Sequence, residues 1–435
     1  MSRDIVPTPV SADTFAAAFA PLAPAGPLAV AVSGGSDSLA LLFLAHRWAA
    51  ENGRDIQAVT VDHGLRAEAS MEARWVAEMC AARGIAHTTL VWEGRKPTAN
   101  LQAAAREARY RLMTDWARTE GVTGLLLAHT EDDQAETVLL RLARGSGVDG
   151  LAGMSSRNVL ASVMLLRPLL GVSRLRLRAT LMVLGEHWLE DPSNKDPRFA
   201  RPRMRALLPA LAEEGLTVPR LAGTARRMMR AREALETATA ELLSKTAHVE
   251  DAGFIRLASE PLVVASEEIG LRALAKALRA VGGADYPLRL KHLEALFYVL
   301  REKRLGRGRT LAGCRVLPGS GGGVLLVREP AQIETDPLPL APGRVALWDR
   351  RFEVMLGAHG PSGAWVSPLG AGGATALKTE RSRSGANDFG PPAVVRPSLP
   401  CLWFNGEPAA VPHLGYVRPA SGLEPGQFQA RFTGL

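Results

Sequence analysis

Three short stretches carry residue types that could do chemistry together. The first is Ser33-Gly34-Gly35-Ser36-Asp37-Ser38, which follows the apolar run 28–32 and precedes a stretch with helical spacing. Small residues at a strand-to-helix corner leave backbone N–H groups open to an anion, and the start of a helix favours negative charge. The Gly-Lys-Ser/Thr of a Walker loop is absent, and Asp37 stands where its lysine would be needed. A carboxylate beside phosphates is repulsive unless a divalent cation lies between them, so the composition points to Mg²⁺ shared by Asp37 and a polyphosphate. The alternative is that Ser36 or Asp37 simply caps the helix.

The second stretch is "HTEDDQAET" at 129–137, with Asp132, Asp133 and Glu136. Asp133 and Glu136, three apart, share one helix face suited to holding Mg²⁺ or an ammonium group. Acidic residues also stabilise a helix start without any ligand, which is the competing reading. The third is "VDHGLR" at 61–66, where His63 ends a strand and could face a nucleotide edge or be a solvated turn residue. Arginines surround these stretches. Arg106, Arg109 and Arg111 share one helical segment, Arg141 and Arg144 precede "GSG" at 145–147, and residues 201–232 hold eight arginines (201, 203, 205, 220, 226, 227, 230 and 232) against Glu213 and Glu214. Guanidinium groups fork toward phosphate, and such a run fits an RNA backbone, with a solvated helix face as the alternative.

Something must bring these stretches to one edge. Runs 28–32, 56–61, 87–92, 124–128 and 163–170 read as buried strands, and 38–50, 70–83, 98–119, 131–143 and 173–185 as helices between them. This alternation predicts an α/β fold, a parallel sheet with helices on both faces, whose ligands bind beyond the carboxyl ends of the strands. Near Pro209 the pattern becomes helical, with Leu221, Met228, Leu235 and Leu242 spaced by sevens as a packing stripe. "GSGGG" at 319–323 reads as a hairpin turn, and from about Leu340 short strands (345–348, 352–356) and a turn-prone stretch, Thr379 to Pro392, suggest a small C-terminal α+β or β domain.

A chain of 435 residues, 47% hydrophobic, can bury the cores of two or three domains. Its net charge of +8, from 52 Lys+Arg and 44 Asp+Glu, favours a polyanionic partner. Cys80, Cys314 and Cys401 lie far apart, which argues against a zinc site or disulfide framework and fits a reducing cytoplasm. The apolar stretch 15–32 contains Pro21, Pro24 and Pro27, so it reads as neither an export signal nor a membrane span.

"SGGSDS" resembles the pyrophosphate loop of the N-type ATP pyrophosphatases, the PP-loop superfamily. "VDHGLR", "EARYRLM" at 107–113, the segment 126–147 and "WLEDPSNKDPRFARPRMR" at 188–205 are similar, in order, to the tRNA(Ile)-lysidine synthase family, and "PCLWFNGEPAAV" at 400–411 resembles its C-terminal module more loosely. Two departures are visible: Arg201-Pro202-Arg203 where the family has Arg-Asn, and "LKTERSRSGANDFG" at 377–390 in place of a lysine-rich element.

The resemblance implies an ATP-dependent ligase that joins L-lysine to C2 of the wobble cytidine of tRNA(Ile) bearing a CAU anticodon. An adenylated intermediate forms, and AMP and pyrophosphate leave. It implies ATP contacts from residues 33–38 and His63, catalytic roles for Asp37, Asp133 and Arg109, and Mg²⁺ at Asp37 and Asp133. Lysine would lie at Asp133 and Glu136, and tRNA along Arg144, Arg201, Arg203, Arg205, Arg226, Arg227 and Arg230. The expected division is a catalytic domain at 1–209, a helical tRNA-binding domain at 210–335 and a C-terminal tRNA-binding domain at 340–435, in a cytoplasmic protein for which a homodimer is compatible. The rivals are a tRNA-thiolating enzyme of the same superfamily, which would need a catalytic cysteine, and a tRNA-binding protein without chemistry.

Overall fold

The computed structural model describes residues 7–65, 68–94, 96–97, 100–190, 196, 198–283, 288–383 and 390–435. The chain divides into two compact units, Met1–Glu233 and Ala234–Leu435.

In the first unit, α1 (Ala12–Phe19) leads into β1 (Leu28–Ala31), α2 (Ser36–Glu51), β2 (Ile56–Asp62), α3 (Ala69–Ala81), β3 (His87–Val91), α4 (Leu101–Thr119), β4 (Gly124–Leu126) and α5 (Glu131–Leu142). A short α6 (Val148–Leu151), the hairpin β5 (Arg157–Leu160) and β6 (Val163–Leu166), α7 (Arg174–Leu184) and α8 (Ala200–Glu213) follow, and the division into units falls within α9 (Val218–Thr246). The strands form one sheet in the order β3-β2-β1-β4-β6-β5, parallel except for β5.

Period-two alternation in the strands sorts their side chains to two cores. Leu28, Val30, Leu126 and Leu166 pack with α1, α2, α3 and α7, while Ala29, Leu125 and Leu165 pack with Met113 and Ala117 of α4 on the other face. The helices thus cover both faces, as the strand-helix alternation predicts. The exception is β5. All four of its residues are exposed, so no buried periodicity marks it, and its two-residue turn uses Ala161 (φ 48°) and Ser162 (φ 68°) in place of the usual Asn or Gly. The apolar stretch after residue 15 divides between α1, with Phe15 and Phe19 in the core, and β1. Pro209 lies inside α8.

β1 lies between β2 and β4, and chain order reverses there, so the loops after β1 and β4 open side by side at the switch point of the sheet. The loops carrying residues 33–38 and 127–133 are these two.

The second unit holds β7 (Ala247–Glu250), β8 (Phe254–Leu257), α10 (Ser259–Val264), α11 (Glu267–Gly282), α12 (Leu290–Arg301), β9 (Arg309–Leu311), β10 (Cys314–Pro318) and β11 (Val324–Arg328), with an antiparallel sheet ordered β7-β8-β11-β10-β9. Its helices pack on that sheet around Leu274, Leu278, Phe297 and Leu326. Residues 319–323 turn between β10 and β11 as expected, with Gly321 and Gly322 at positive φ. Then come β12 (Leu338–Pro339), β13 (Val345–Trp348), β14 (Phe352–Leu356), β15 (Trp365–Pro368), α13 (Gly370–Arg383), β16 (Pro400–Phe404), β17 (Glu407–Val411), β18 (Tyr416–Val417) and β19 (Phe428–Phe432). They form the sheets β12-β15-β16-β17-β18 and β13-β14-β19. The turn-prone stretch from Thr379 begins in α13, and residues 384–389 lie outside the described residues. Among the described residues no helix is long and apolar enough to cross a membrane.

Candidate active site

Gly34 makes the corner between β1 and α2. Its φ is +80°, and a Cβ there would stand 2.8 Å from Leu189 Cδ1, while its carbonyl accepts from the Leu189 N–H at 2.9 Å. Only glycine meets both demands without strain. Ser33 N–H donates to Ser38 Oγ at 3.1 Å, and Ser38 Oγ–H donates to the Gly35 carbonyl at 3.0 Å, so the serines close the loop on itself. α2 starts at Ser36 with Gly35 as its N-cap and no side chain bonded to its first amides. The capping alternative therefore does not hold for Ser36 or Asp37, and the amides that an anion would need are left to it.

α5 starts at the neighbouring strand end, and its start is encoded locally. Thr130 and Asp133 form a capping box: Thr130 Oγ accepts from the Asp133 N–H at 3.3 Å, and Asp133 Oδ2 accepts from the Thr130 N–H at 2.8 Å and its hydroxyl at 2.9 Å. Asp133 is thus both cap and site residue, because its Oδ1 turns the other way. That oxygen accepts from Arg174 Nη2 at 3.3 Å, while Arg174 Nε donates to Asp37 Oδ2 at 2.9 Å and Nη1 lies 4.0 Å from Glu136 Oε1. Arg174 is the first residue of α7, and its own N–H donates to Asp132 Oδ2 at 2.8 Å.

Electrostatics differ among the three carboxylates. Burial raises the Asp37 pKa above its ordinary value against the pull of Arg174. Burial also opposes ionisation of Asp133, but Arg174, the Thr130 bonds and His129 outweigh it and hold this carboxyl below its ordinary value. Glu136 is wholly buried; burial raises its pKa against Arg205, whose Nε donates to Oε1 at 2.8 Å, and Oε2 has no hydrogen-bond partner among the described residues. An orphaned, buried carboxylate oxygen is costly, and a cation would satisfy it.

Asp37, Asp133 and Arg174 face a cleft of about 840 Å³ also lined by the rest of the 33–38 loop, Arg144, Arg201 and Arg205, among others; Glu136 is not on its lining and is tied to it through Arg205. The structure therefore gathers most of the residues singled out from the sequence. His63 and Arg109 pair with each other instead, at the end of β2: His63 Nε2 accepts from Arg109 Nε at 3.0 Å and lies 2.9 Å from Nη2, edge-on to Trp92. Burial first, then Arg109, lowers the His63 pKa to about 4, so the ring is neutral and can accept. Arg203 Nη1 donates to the Arg198 carbonyl, and Arg226, Arg227 and Arg230 are exposed on α9, with Arg226 3.7 Å from Glu131. Residues 191–195 and 197 of the 188–205 segment lie outside the described residues.

Sequence reasoning missed two cleft residues. His129 directly precedes the capping box; its Nδ1 is buried without a partner among the described residues, and burial lowers its pKa to about 4 against the pull of Asp133. Its place in "HTEDD" could have flagged it. Arg174 had no such signal, being one of 52 basic residues.

Mg²⁺ usually takes one or two carboxylates and completes its shell with phosphate oxygens and water. Among the described residues no group of three or more His, Cys, Asp or Glu is arranged to hold a metal alone. Asp37 and Asp133, both bonded to one guanidinium, fit the sparser requirement. All three cysteines are buried, and burial raises Cys80 to about 11 and Cys314 to about 12, and raises Cys401 as well. None lines the cleft, so the site has no thiolate for sulfur transfer.

Comparison with known proteins agrees with this geometry. Residues 7–211 match the family described as PP-loop domain. The tRNA(Ile)-lysidine synthase of Ruegeria pomeroyi is 39% identical over 89% of this chain and 88% of its own length. That of Bradyrhizobium sp. is 45% identical over 70% and 86%, and that of Wolbachia pipientis wMel 35% identical over 89% of each. Among solved structures, the U34-tRNA thiolase NcsA from Methanococcus maripaludis is similar at a TM-score of 0.42 and 18% identity, over 52% of this chain and 77% of that one. With relatives matched along nearly their whole length, and with the loop and carboxylates gathered in one cleft, the chain belongs to the tRNA(Ile)-lysidine synthase family.

Proposed function

We propose that this chain joins free L-lysine to C2 of the wobble cytidine in a tRNA(Ile) with a CAU anticodon, at the expense of ATP. The observation that carries the reading is the juxtaposition, in one cleft, of an uncapped helix start and the carboxylates Asp37 and Asp133, with buried Glu136 joined to the cleft through Arg205. A splayed-out anticodon base reaches such a cleft at low cost, because it is already single-stranded. Its O2 attacks the α-phosphorus of ATP, and the amides and hydroxyls of residues 33–38 hold the departing pyrophosphate. Mg²⁺, held by Asp37 and Asp133, would neutralise charge developing on the phosphates. Arg109, oriented by His63, and Arg144 supply further positive charge toward the nucleotide and the RNA.

Adenylation makes C2 electrophilic, with AMP as its leaving group. The lysine ammonium, of pKa about 10.4, must lose a proton before it attacks. Asp133 Oδ1 and Glu136 Oε2 are the acceptors that position it, and the Glu136 carboxylate, made more basic by burial, takes the proton. Arg201, Arg203 and Arg205, with the exposed Arg226, Arg227 and Arg230, are read as the tRNA path from a catalytic part at 1–209 into 210–335, with 340–435 as a further tRNA-binding part. A cytoplasmic location follows from the substrate.

The test is pyrophosphate release from ATP with CAU-bearing tRNA(Ile) and L-lysine, combined with transfer of labelled lysine to the RNA. Lysine transfer that survives simultaneous Cys→Ser change at 80, 314 and 401 supports the reading. Pyrophosphate release with no lysine on the tRNA would sink it.

A further inference from the structure

The proposed reaction places Mg²⁺ at Asp37 and Asp133 and the lysine ammonium at Asp133 and Glu136, yet one protein cation already sits among these three groups. Arg174 Nε–H is on Asp37 at 2.9 Å and Nη2–H on Asp133 at 3.3 Å, with Nη1 4.0 Å from Glu136. Its backbone is pinned by Asp132. Only 19% of the Arg174 side chain is exposed, so these contacts are little screened. Asp132, left without a role of its own in the sequence reading, thereby gains a definite task.

Arg174 also borders the same cleft as Ser33, Ser36 and the free amides at the start of α2. A polyphosphate seated on that helix start would lie beside the guanidinium. Phosphate offers several anionic oxygens in a geometry that guanidinium matches bidentately, against one oxygen from each aspartate.

We propose that Arg174 is a positioning residue that sets the order of substrate binding. Seated on Asp133 and beside Glu136, it bars the lysine ammonium; drawn to the phosphates of ATP, it frees Asp133 Oδ1 and the Glu136 carboxylate for lysine. ATP therefore binds first and creates the lysine site, and by linkage lysine tightens ATP by the same factor. Arg205 donates to Glu136 Oε1, which leaves Oε2 as the oxygen for the incoming amine. The inference rests on the proposed lysine site at Asp133 and Glu136.

The experiment is calorimetric titration of the full chain with L-lysine, alone and saturated with Mg²⁺ and the uncleavable α,β-methylene analogue of ATP. The parent should bind lysine about tenfold or more tightly with the analogue, within the usual range of coupling between sites. In Arg174→Met, lysine should bind equally with and without the analogue, and Arg174→Lys, which keeps the charge but cannot span two carboxylates, should recover only part of the coupling. Equal lysine affinity in both arms of the parent overturns the ordering, and that arm decides even if Arg174→Met does not fold. Unchanged coupling in a folded Arg174→Met also overturns it. No lysine binding in either arm of the parent would instead overturn the assignment of the lysine site itself.

Discussion

Replacing Asp37 by Asn removes one charge with almost no change of shape. Within the ion-paired cluster, three carboxylates (Asp37, Asp133, Glu136) meet two guanidinium groups (Arg174, Arg205), an excess of one negative charge in a cleft that Arg144, Arg178 and Arg201 also line. The substitution cancels that excess. A unit charge about 4 Å from a divalent cation is worth about 8 kcal/mol at an effective dielectric of about 20, and at about 1.36 kcal/mol per decade this sets an upper bound of roughly a millionfold in affinity. The Mg²⁺ concentration for half-maximal pyrophosphate release should rise by up to that factor, until adenylation is lost at ordinary Mg²⁺, with tRNA affinity near normal. Stability should move the other way. The Asp37 pKa is raised in the fold, mainly by burial, so its carboxylate weakens the fold at neutral pH. A raised carboxyl contributes stability below its unfolded pKa of about 3.9 that is lost as pH rises through the folded value. Asp37→Asn should therefore be as stable as the parent or more so at pH 7, with the difference closing below about pH 4. Pyrophosphate release across a Mg²⁺ series, filter binding of tRNA and thermal denaturation at both pH values read these outcomes. An Asp37→Asn enzyme with the parent's Mg²⁺ dependence would refute the reasoning, and a marked loss of stability at pH 7 would make Asp37 structural.

Asp133→Ala should cut turnover far more than Asp132→Ala in single-turnover lysine transfer, since Asp132 meets only the backbone of Arg174; equal losses would mean the two roles are misassigned. Asp133→Ala should also cost about 0.5–2 kcal/mol of stability through the lost capping box, read by urea denaturation. Gly34→Ala places a Cβ at φ +80° against Leu189, and should cost about 1–3 kcal/mol and weaken ATP binding; a stable variant with normal ATP affinity would show that the corner tolerates a side chain. Neutralising Arg226, Arg227 and Arg230 together should weaken tRNA binding and lower the slope of log affinity against log salt by roughly 0.7–0.9 per lost contact, with ATP binding unchanged. An unaltered slope would make that helix face merely solvated.

The pyrophosphate loop was legible in the sequence because what it needs is local: small residues, a positive-φ glycine and a helix start all fall within six positions. The strands and helices of the first unit were legible for a similar reason, since burial on alternate faces imprints a period on neighbouring residues. The acidic helix start was equally plain, and Thr130-x-x-Asp133 even encodes its own cap. Where pattern and burial part, the reading stops: exposed β5 left no period, and its Ala161-Ser162 turn lacks the residues that announce a hairpin. The site's central cation was invisible for a different reason. Arg174 meets Asp37 across 137 positions of chain and Asp133 across 41, and nothing near "GVSRLRLR" distinguishes it from its neighbours at 176 and 178. Only the order β1-β4-β6 in the sheet, which sets the start of α7 beside the loops after β1 and β4, decides which arginine enters the cleft. The same holds for Arg205, one of eight in its run, whose side chain turns inward to Glu136 while those of Arg226, Arg227 and Arg230 remain in solvent. Composition and spacing determine which chemistry is available; long-range strand order and burial decide which charges meet, because electrostatic pairing depends on distance in space and has no period along the chain.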